Sequence, residues 1–301
     1  MIDEHEWRSV LQVVADGTLS QAAKHLFVSQ PSLSQCIKKI ESELETPLFD
    51  RSQNPLKLTE AGEAYVKAAQ AMQQISRTLR QQVDDLSELR TGEVRIGSSR
   101  TRSVCLLTGA LVAFHRRYPG IKLSVVEGST ERLREHVRQG HVDFALLYEP
   151  LPPNFFASIP IMKERVLLAV PPQHPWGQKY IAPQTPPFPT ISFARLHHEP
   201  FIALKANRRM FSIYTALCQN TQTTPQVVFE ADSILSAAEL CAEGMGATLV
   251  TDMVVKHGLA CGQPFFFEIA EPTEERCLVA AYGKQQPLSR AARRFLDFLI
   301  P

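Results

Sequence analysis

Apolar and polar positions near the start of the chain alternate as two short helical patterns set back to back, over TLSQAAKHLFVSQPSLSQCIKK at 18–39. Ala22, Ala23 and Leu26 share one face at three- and four-residue spacing. This predicts a helix from Ser20 to about Leu26, capped by the Ser20 hydroxyl. Ser29 is a good N-cap for a second helix, with Pro31 tolerated in the first turn, where backbone donors have no helical partner. Leu33, Ile37 and Ile40 form its buried stripe. Gln30, Ser32, Gln35, Lys38 and Lys39 take the opposite face. Hydrogen-bonding side chains with positive charge at one end suit base edges in a major groove and the phosphates beside them. Two helices, a short turn and a polar second helix describe a helix-turn-helix. An ordinary helical hairpin with a solvated face has the same spacing, so periodicity alone leaves both open.

The pattern changes twice downstream. Trp7 to Ala15 is an apolar helix expected to pack under the pair. Pro47 to Leu58 alternates, with a turn at Asn54-Pro55, and reads as a small two-stranded wing on which Arg51 and Lys57 face DNA backbone or solvent. Thr59 is an N-cap for a long proline-free helix to Arg90. Ala61, Tyr65, Ala68, Met72, Ile75, Leu79, Leu86 and Leu89 follow one another at steps of three and four, broken at Gln82 with Val83 beside it. Thirty residues make a rod of roughly 45 Å. A seam of this period calls for a partner helix, so Tyr65, Ala68, Met72, Ile75, Leu79 and Leu86 are expected to pair two copies. The competing reading folds the helix back on its own domain.

After Thr91-Gly92 the period shortens. Strands at Val94–Gly97, Ile121–Val126 and Val142–Leu147 alternate with helices at Val104–Tyr118 and Thr130–Gln139. A second series runs from about Glu164 through Pro200–Leu204, a helix at Phe211–Gln219, Gln226–Glu230, a helix at Ile234–Glu243 and Ala247–Thr251. The chain closes with a strand at Arg276–Tyr282 and a helix at Ser289–Leu299. Such alternation predicts parallel βαβ units in an α/β fold. Ala182 to Thr190 is proline-dense and expected to be an irregular connection.

Composition is that of a globular chain: 301 residues, 44% hydrophobic, 21% charged, formal net charge +1. Net charge does not point to nucleic acid. The first 58 residues hold six Lys and Arg against eight Asp and Glu. Residues 24–40 nevertheless contain Lys24, Lys38, Lys39 and no acid, so a local basic patch and reliance on dimerisation are expected. No export signal or eighteen-residue apolar run is found, which predicts a cytoplasmic chain off the membrane. The six cysteines form no CxxC or Cys/His cluster and read as free thiols.

The stretch AAKHLFVSQPSLSQCIKKIESELETPLFDR, followed by LTEAG at 58–62, resembles the DNA-binding segment of LysR-type transcriptional regulators. Ala22, Ala23, Leu26, Ser29, Gln30, Pro31, Ser34, Ile37, Glu41, Leu44, Leu48, Phe49, Arg51, Thr59 and Gly62 carry the likeness. Val10, Cys36, Ile40 and Glu45 depart from it; Glu45 stands where Gly is usual. IGSS at 96, YPGIKLSVVEG at 118, QGHVDFALL at 139 and EGMGATLV at 243 resemble landmarks of the family's two-lobed effector domain, with Thr251 where Pro is common. The resemblance implies an α/β multidomain chain with a winged helix-turn-helix at 1–58 and a linker and dimerisation helix at 59–90. A periplasmic-binding-protein-like effector domain would fill 91–301, lobe I at about 91–161 and 267–301, lobe II at about 162–266. It implies double-stranded DNA at a dyad-symmetric site, a small-molecule effector and a second copy of the chain as partners. A tetramer and contact with RNA polymerase are further expectations.

Candidate residues follow from these frames. Ser20, Gln21, Ser29, Gln30, Pro31, Ser32, Ser34, Gln35, Lys38 and Arg51 are expected at DNA. In open α/β sheets ligands bind beyond the carboxyl ends of strands. This selects Ser98, Ser99, Arg100 and Thr101 after the first strand, Ser129 and Thr130 after the second, and Ile202 and Thr248 opposite. Hydroxyls, a helix N-terminus and an arginine fit a small carboxylate or phosphate. The same Ser and Thr types serve equally as plain helix caps. No GxSxG, HExxH, P-loop or strand followed by GxGxxG occurs, and His197-His198 shows no ligand spacing. Enzymatic activity, a metal and a cofactor are therefore not expected. A solute-binding protein or an enzyme on the same two-lobe fold is the alternative.

Overall fold

The computed structural model describes residues 3–52, 55–85, 90–180, 186–206, 209–257, 263–273 and 276–300, and divides the chain into units 1–84 and 85–301. In the first unit α1 (Glu4–Asp16) opens with a reciprocal cap. Asp3 accepts from the Glu6 backbone at 2.8 Å and Glu6 accepts from the Asp3 backbone at 3.1 Å. It closes at Gly17, whose φ of 70° is the left-handed conformation that glycine tolerates. The next helix, α2 (Leu19–His25), is capped by Thr18, which accepts from the Gln21 backbone at 3.3 Å. Ser20 is not the cap: the extended backbone that caps require belongs to Thr18, and Ser20 lies exposed within the first turn. Ser29 does cap α3 (Gln30–Glu43), accepting from Ser32 N at 3.2 Å. Leu33, Ile37 and Ile40 are buried against Trp7, Val10 and Val13. Each such side chain contributes about 1.5–3 kcal/mol relative to exposure.

The wing is a minimal ladder of β1 (Phe49–Asp50) and β2 (Lys57–Leu58), antiparallel with Phe49 opposite Leu58. Asn54 of the expected turn lies outside the described residues. Thr59 caps α4 (Glu60–Asp85), accepting from Gly62 N at 3.0 Å and donating to the Pro47 carbonyl at 2.7 Å. Tyr65, Val66 and Ala69 on α4 enter the core of this unit, so Tyr65 is not on an open seam and its neighbour Ala68 points to solvent. The exposed stripe starts one turn later, at Met72, Ile75, Leu79 and Val83. A helix of 3.6 residues per turn drifts against a seven-residue repeat, which lets one end face its own domain and the other face outward. Leu86 and Leu89 lie outside the described residues.

The second unit begins with β3 (Gly92–Ser98), the single turn α5 (Arg100–Arg102), a π-helix at Ser103–Leu107 and α6 (Thr108–Arg117). There follow β4 (Ile121–Glu127), α7 (Thr130–Arg138), β5 (Phe144–Tyr148), β6 (Phe156–Glu164), β7 (Val166–Val170), α8 (Pro175–Tyr180) and β8 (Thr190–Ile191). Next come β9 (Pro200–Leu204), α9 (Arg209–Thr221), β10 (Gln226–Ala231), α10 (Ile234–Ala242), β11 (Ala247–Thr251) and α11 (Asp252–His257). The unit ends with β12 (Phe265–Ile269), β13 (Arg276–Gly283) and α12 (Arg290–Leu296).

Two sheets result, one ordered β4-β3-β5-β13-β6 and the other β10-β9-β11-β7-β12-β8. Each has its own apolar core: Phe114, Phe144 and Phe295 in the first, Phe193, Phe201 and Phe267 in the second. The chain passes from the first sheet to the second between β6 and β7 and returns between β12 and β13. The parallel expectation holds for β4-β3-β5 and for β10-β9-β11. The strands at the two crossings, β6, β7, β12 and β13, pair antiparallel, except that β12 also runs parallel to β8 at the sheet edge. The expected start near Glu164 missed β6 because Pro160 interrupts its pattern. Proline is tolerated there because β6 is an edge strand.

Candidate nucleic-acid interface and ligand site

The outward face of α3 is built by its cap and its buried stripe. With Ser29 closing the first turn and Leu33, Ile37 and Ile40 locked inside, Gln30, Pro31, Ser32, Gln35 and Lys38 are left exposed, and Ser34 half-buried. Gln30, Gln35 and Lys38 make no hydrogen bond or ion pair with another described residue. Gln21 and Ser20 lie exposed on α2. Lys39 differs from its neighbour. Its Nζ lies 2.8 Å from Glu6 Oε1 and 3.7 Å from Glu43, which ties α3 to α1 and occupies the charge. The hydrogen bond from Lys39, with that from the Asp3 backbone, holds the Glu6 carboxyl below its ordinary value.

Arg51 is held rather than loose. Its Nη2 lies 2.8 Å from Glu41 Oε2, while Glu41 Oε1 accepts from the Leu48 backbone at 2.9 Å. One carboxylate from α3 therefore anchors the wing and aims the arginine. Two bends depart from ordinary backbone. Glu45 has φ of 52° and Phe27, between α2 and α3, has φ of 56° with a side chain 95% exposed.

In the second unit the expected ligand residues form two groups. Ser98 and Glu127 are register partners at the carboxyl ends of β3 and β4, and Gly128 N donates to Ser98 O at 3.1 Å, so the 98–101 and 128–130 turns lie side by side. Thr248 and Ile202 are register partners in the other sheet. Several hydroxyls are already engaged. Ser98 is buried and donates to Ser99 O at 3.2 Å. Ser99 and Ser129 cap α5 and α7, and Thr248 donates to Ile202 O at 2.9 Å. Arg100 is exposed, Thr101 and Thr130 are half-buried, and Ile202 is buried.

One polar group was missed from sequence. Arg102, Tyr148, Glu164 and Arg276 gather where the chain crosses between sheets, with Glu164 and Arg276 register partners on β6 and β13. Tyr148 donates to Glu164 Oε2 at 2.6 Å, and Arg276 Nη1 stands 3.7 Å from the same oxygen. The Arg276 and Arg102 guanidinium carbons lie 4.1 and 5.1 Å from the Tyr148 ring centre. Burial pushes the Tyr148 phenol up to about 12. The available signal was a charge at the head of an apolar strand, as in Arg276 before CLVAAY.

Among the described residues no three His, Cys, Asp or Glu side chains group as metal ligands, and no helix is long and apolar enough to cross a membrane. Cys36, Cys105, Cys218, Cys241 and Cys277 are free thiols, and Cys261 lies outside the described residues.

Comparison with known proteins covers almost the whole chain. Residues 5–63 match the bacterial regulatory helix-turn-helix protein model of the lysR family, and residues 87–301 match the LysR substrate binding domain. The HTH-type transcriptional regulator YybE of Bacillus subtilis is 26% identical over 282 residues, 94% of this chain and 92% of that protein. A protein of Cyanidioschyzon merolae named "Probable RuBisCO transcriptional regulator" is 33% identical over 169 residues, 55% of this chain and 56% of that one. A full-length OxyR variant of Pseudomonas aeruginosa has a similar fold, with a TM-score of 0.74 at 22% identity over 99% of this chain and 95% of that one.

Proposed function

The chain is a member of the LysR family of transcriptional regulators, and from that premise we propose how its parts divide the work. Residues 1–58 read DNA, 59–90 join two copies, and 91–301 take a small anionic effector in the turns that follow β3 and β4. The carrying observation is the outward face of α3, where Gln30, Gln35 and Lys38 stand exposed without partners while the opposite face is locked into the core. Gln30, Ser34 and Gln35 read base edges; Lys38, Ser29, Ser32 and the N-terminus of α3 hold phosphate. Ser20 and Gln21 contact backbone from α2, and Arg51 does so from the wing. Pro31 shapes the first turn that enters the groove.

Dimerisation supplies what a near-neutral reading head lacks in charge. The stripe Met72, Ile75 and Leu79 on α4 is the pairing face, and two copies bring two recognition helices to two half-sites. Arg100, Thr101 and Thr130, with the backbone donors behind Ser129, hold the effector's carboxylate or phosphate. The effector favours one arrangement of the second unit, and the regulator responds by a shift of population. The protein works in the cytoplasm, without catalysis, and RNA polymerase is a candidate contact of the DNA-bound oligomer.

Gel-shift titration across salt concentrations tests the reading head. Gln30→Ala weakens specific binding by about 1–3 kcal/mol and leaves random DNA unaffected. Lys38→Gln weakens both and lowers the salt slope by about one. Equal loss on specific and random DNA for Gln30→Ala removes it from base readout. For the effector site, Thr101→Ala with Ser129→Ala should abolish the response to small organic acids in a thermal-shift screen; an unchanged response places the ligand elsewhere.

A further inference from the structure

Between α2 and α3 the chain turns out its most exposed large apolar side chain. Leu26 and Val28 pack against the core of the first unit, and Phe27 between them is 95% exposed. No other large apolar side chain among the described residues exceeds 70%. The residue is not loose. Its backbone N–H donates to Lys24 O at 3.2 Å, and that of Val28 donates to Ala23 O at 3.0 Å, so the turn that closes α2 is pinned on both sides of it. Its φ of 56° is left-handed, where a Cβ is crowded and glycine or asparagine is usual. A fixed, wetted aromatic ring on a crowded backbone weakens the free chain twice over and gains nothing there. Strained residues of this kind gather where a ligand is contacted.

Position selects the ligand. The helix-turn-helix model of the lysR family spans 5–63, so duplex DNA is what this unit takes. Phe27 stands two peptide links before Ser29, the cap of α3, which puts its Cα within about 7 Å of that residue. The exposed face of α3 begins there, with Gln30, Pro31 and Ser32. Recognition helices contact base edges through their N-terminal residues, and a phenylalanine ring adds its own length to the reach of the turn before them. The ring carries no hydrogen-bonding atom, so it reads neither donors nor acceptors. The apolar feature of the major groove is the thymine C5 methyl, and apolar side chains, phenylalanine among them, contact it.

We propose that Phe27 is a specificity residue that packs its ring against the C5 methyl of a thymine beside the bases read by α3. This rests on the reading of α3 given above and adds a base that its polar face does not select. Leu26 and Ser29 carry the family likeness and Phe27 does not, so the contact belongs to this chain's own operator and not to a shared way of docking.

The test uses the full chain and a duplex selected with it from random-sequence DNA. Selection should return a thymine at one fixed position next to the bases that Gln30 discriminates. Replacing that thymine by uracil, which lacks only the methyl, should weaken binding about fourfold, the factor carried by one buried methyl. Phe27→Gly should lose about the same factor on the thymine duplex, bind thymine and uracil duplexes equally, and bind random DNA as before. Phe27→Leu, still apolar, should keep a preference for thymine. Glycine suits the left-handed turn, so the urea midpoint of Phe27→Gly should be unchanged or raised. A lowered midpoint makes Phe27 a structural residue and overturns the proposal. Undiminished affinity of Phe27→Gly for the selected duplex, or equal loss on selected and random DNA, overturns it as well. Gln30→Ala run alongside separates the two readings. Lost specificity there with none lost in Phe27→Gly keeps α3 as the reader and removes Phe27; no loss in either variant sinks the reading of α3 itself.

Discussion

Single residues carry local strain that the rest of the fold overrides. Glu45, with φ of 52°, sits in the left-handed region after α3, where the family pattern favours glycine. Only glycine adopts that conformation without steric penalty. Glu45→Gly should raise unfolding free energy by about 0.5–1 kcal/mol in urea titration, with DNA affinity unchanged. Glu41 acts in the opposite sense. It joins α3 to the Leu48 backbone and to Arg51, so Glu41→Ala should destabilise the first unit by about 1–3 kcal/mol and weaken DNA binding as Arg51 loses its bearing. The left-handed backbone at Glu45 was shown by the structure, while the departure itself was visible in the sequence. The role of Glu41 was not, since a motif position does not say which backbone donors the side chain will reach.

At the scale of elements, local periodicity was legible where one face is buried and the other wet. Leu33, Ile37 and Ile40, and the alternation of strands with helices from β3 to β5, are of this kind. What stayed hidden depends on neighbours that are distant in sequence. Thr18 caps α2 because its backbone is extended, and Ser20 was an equal candidate by residue type. β6 hid behind Pro160, which is tolerable only at a sheet edge. Tyr65 matched the heptad and yet turned inward, because the base of α4 packs on its own domain. The outward stripe beyond it leads to a sharp expectation. Ile75, 70% exposed, and Leu79, 61% exposed, gain nothing from the isolated protomer. Ile75→Asp with Leu79→Asp should leave the protomer's thermal midpoint unchanged and shift sedimentation from dimer to monomer.

For the whole molecule, acid sensitivity follows from carboxylates with opposite habits. Glu6 is held below its ordinary value of 4.5 by Lys39 and the Asp3 backbone, so the folded chain binds fewer protons there than the unfolded one. Its contribution is present above that ordinary value and is lost as pH falls through the folded one. Glu164 runs the other way. Burial pushes its carboxyl up, so its contribution is present below 4.5 and is lost as pH rises through the raised value. Chemical denaturation between pH 3 and 7 should show an acid limb that flattens in Glu6→Gln. The buried cluster around Glu164 was the least legible part of the chain, because four residues from four separate segments meet only once both crossings are made.

Gly62 lies so close to the Leu48 carbonyl that a Cβ there would overlap it. Thr59 ties the same turn to Pro47, and Tyr65, Val66 and Ala69 sink into the core beneath the recognition helix. The foot of α4 is thereby keyed to the wing without slack, like a spindle fixed to its tool. On the proposed function, a twist applied along the shaft is expected to reach α3 as rotation through this shared core. Gly62→Ala should loosen that key, and an effector-induced change in DNA footprint should fade before DNA affinity does.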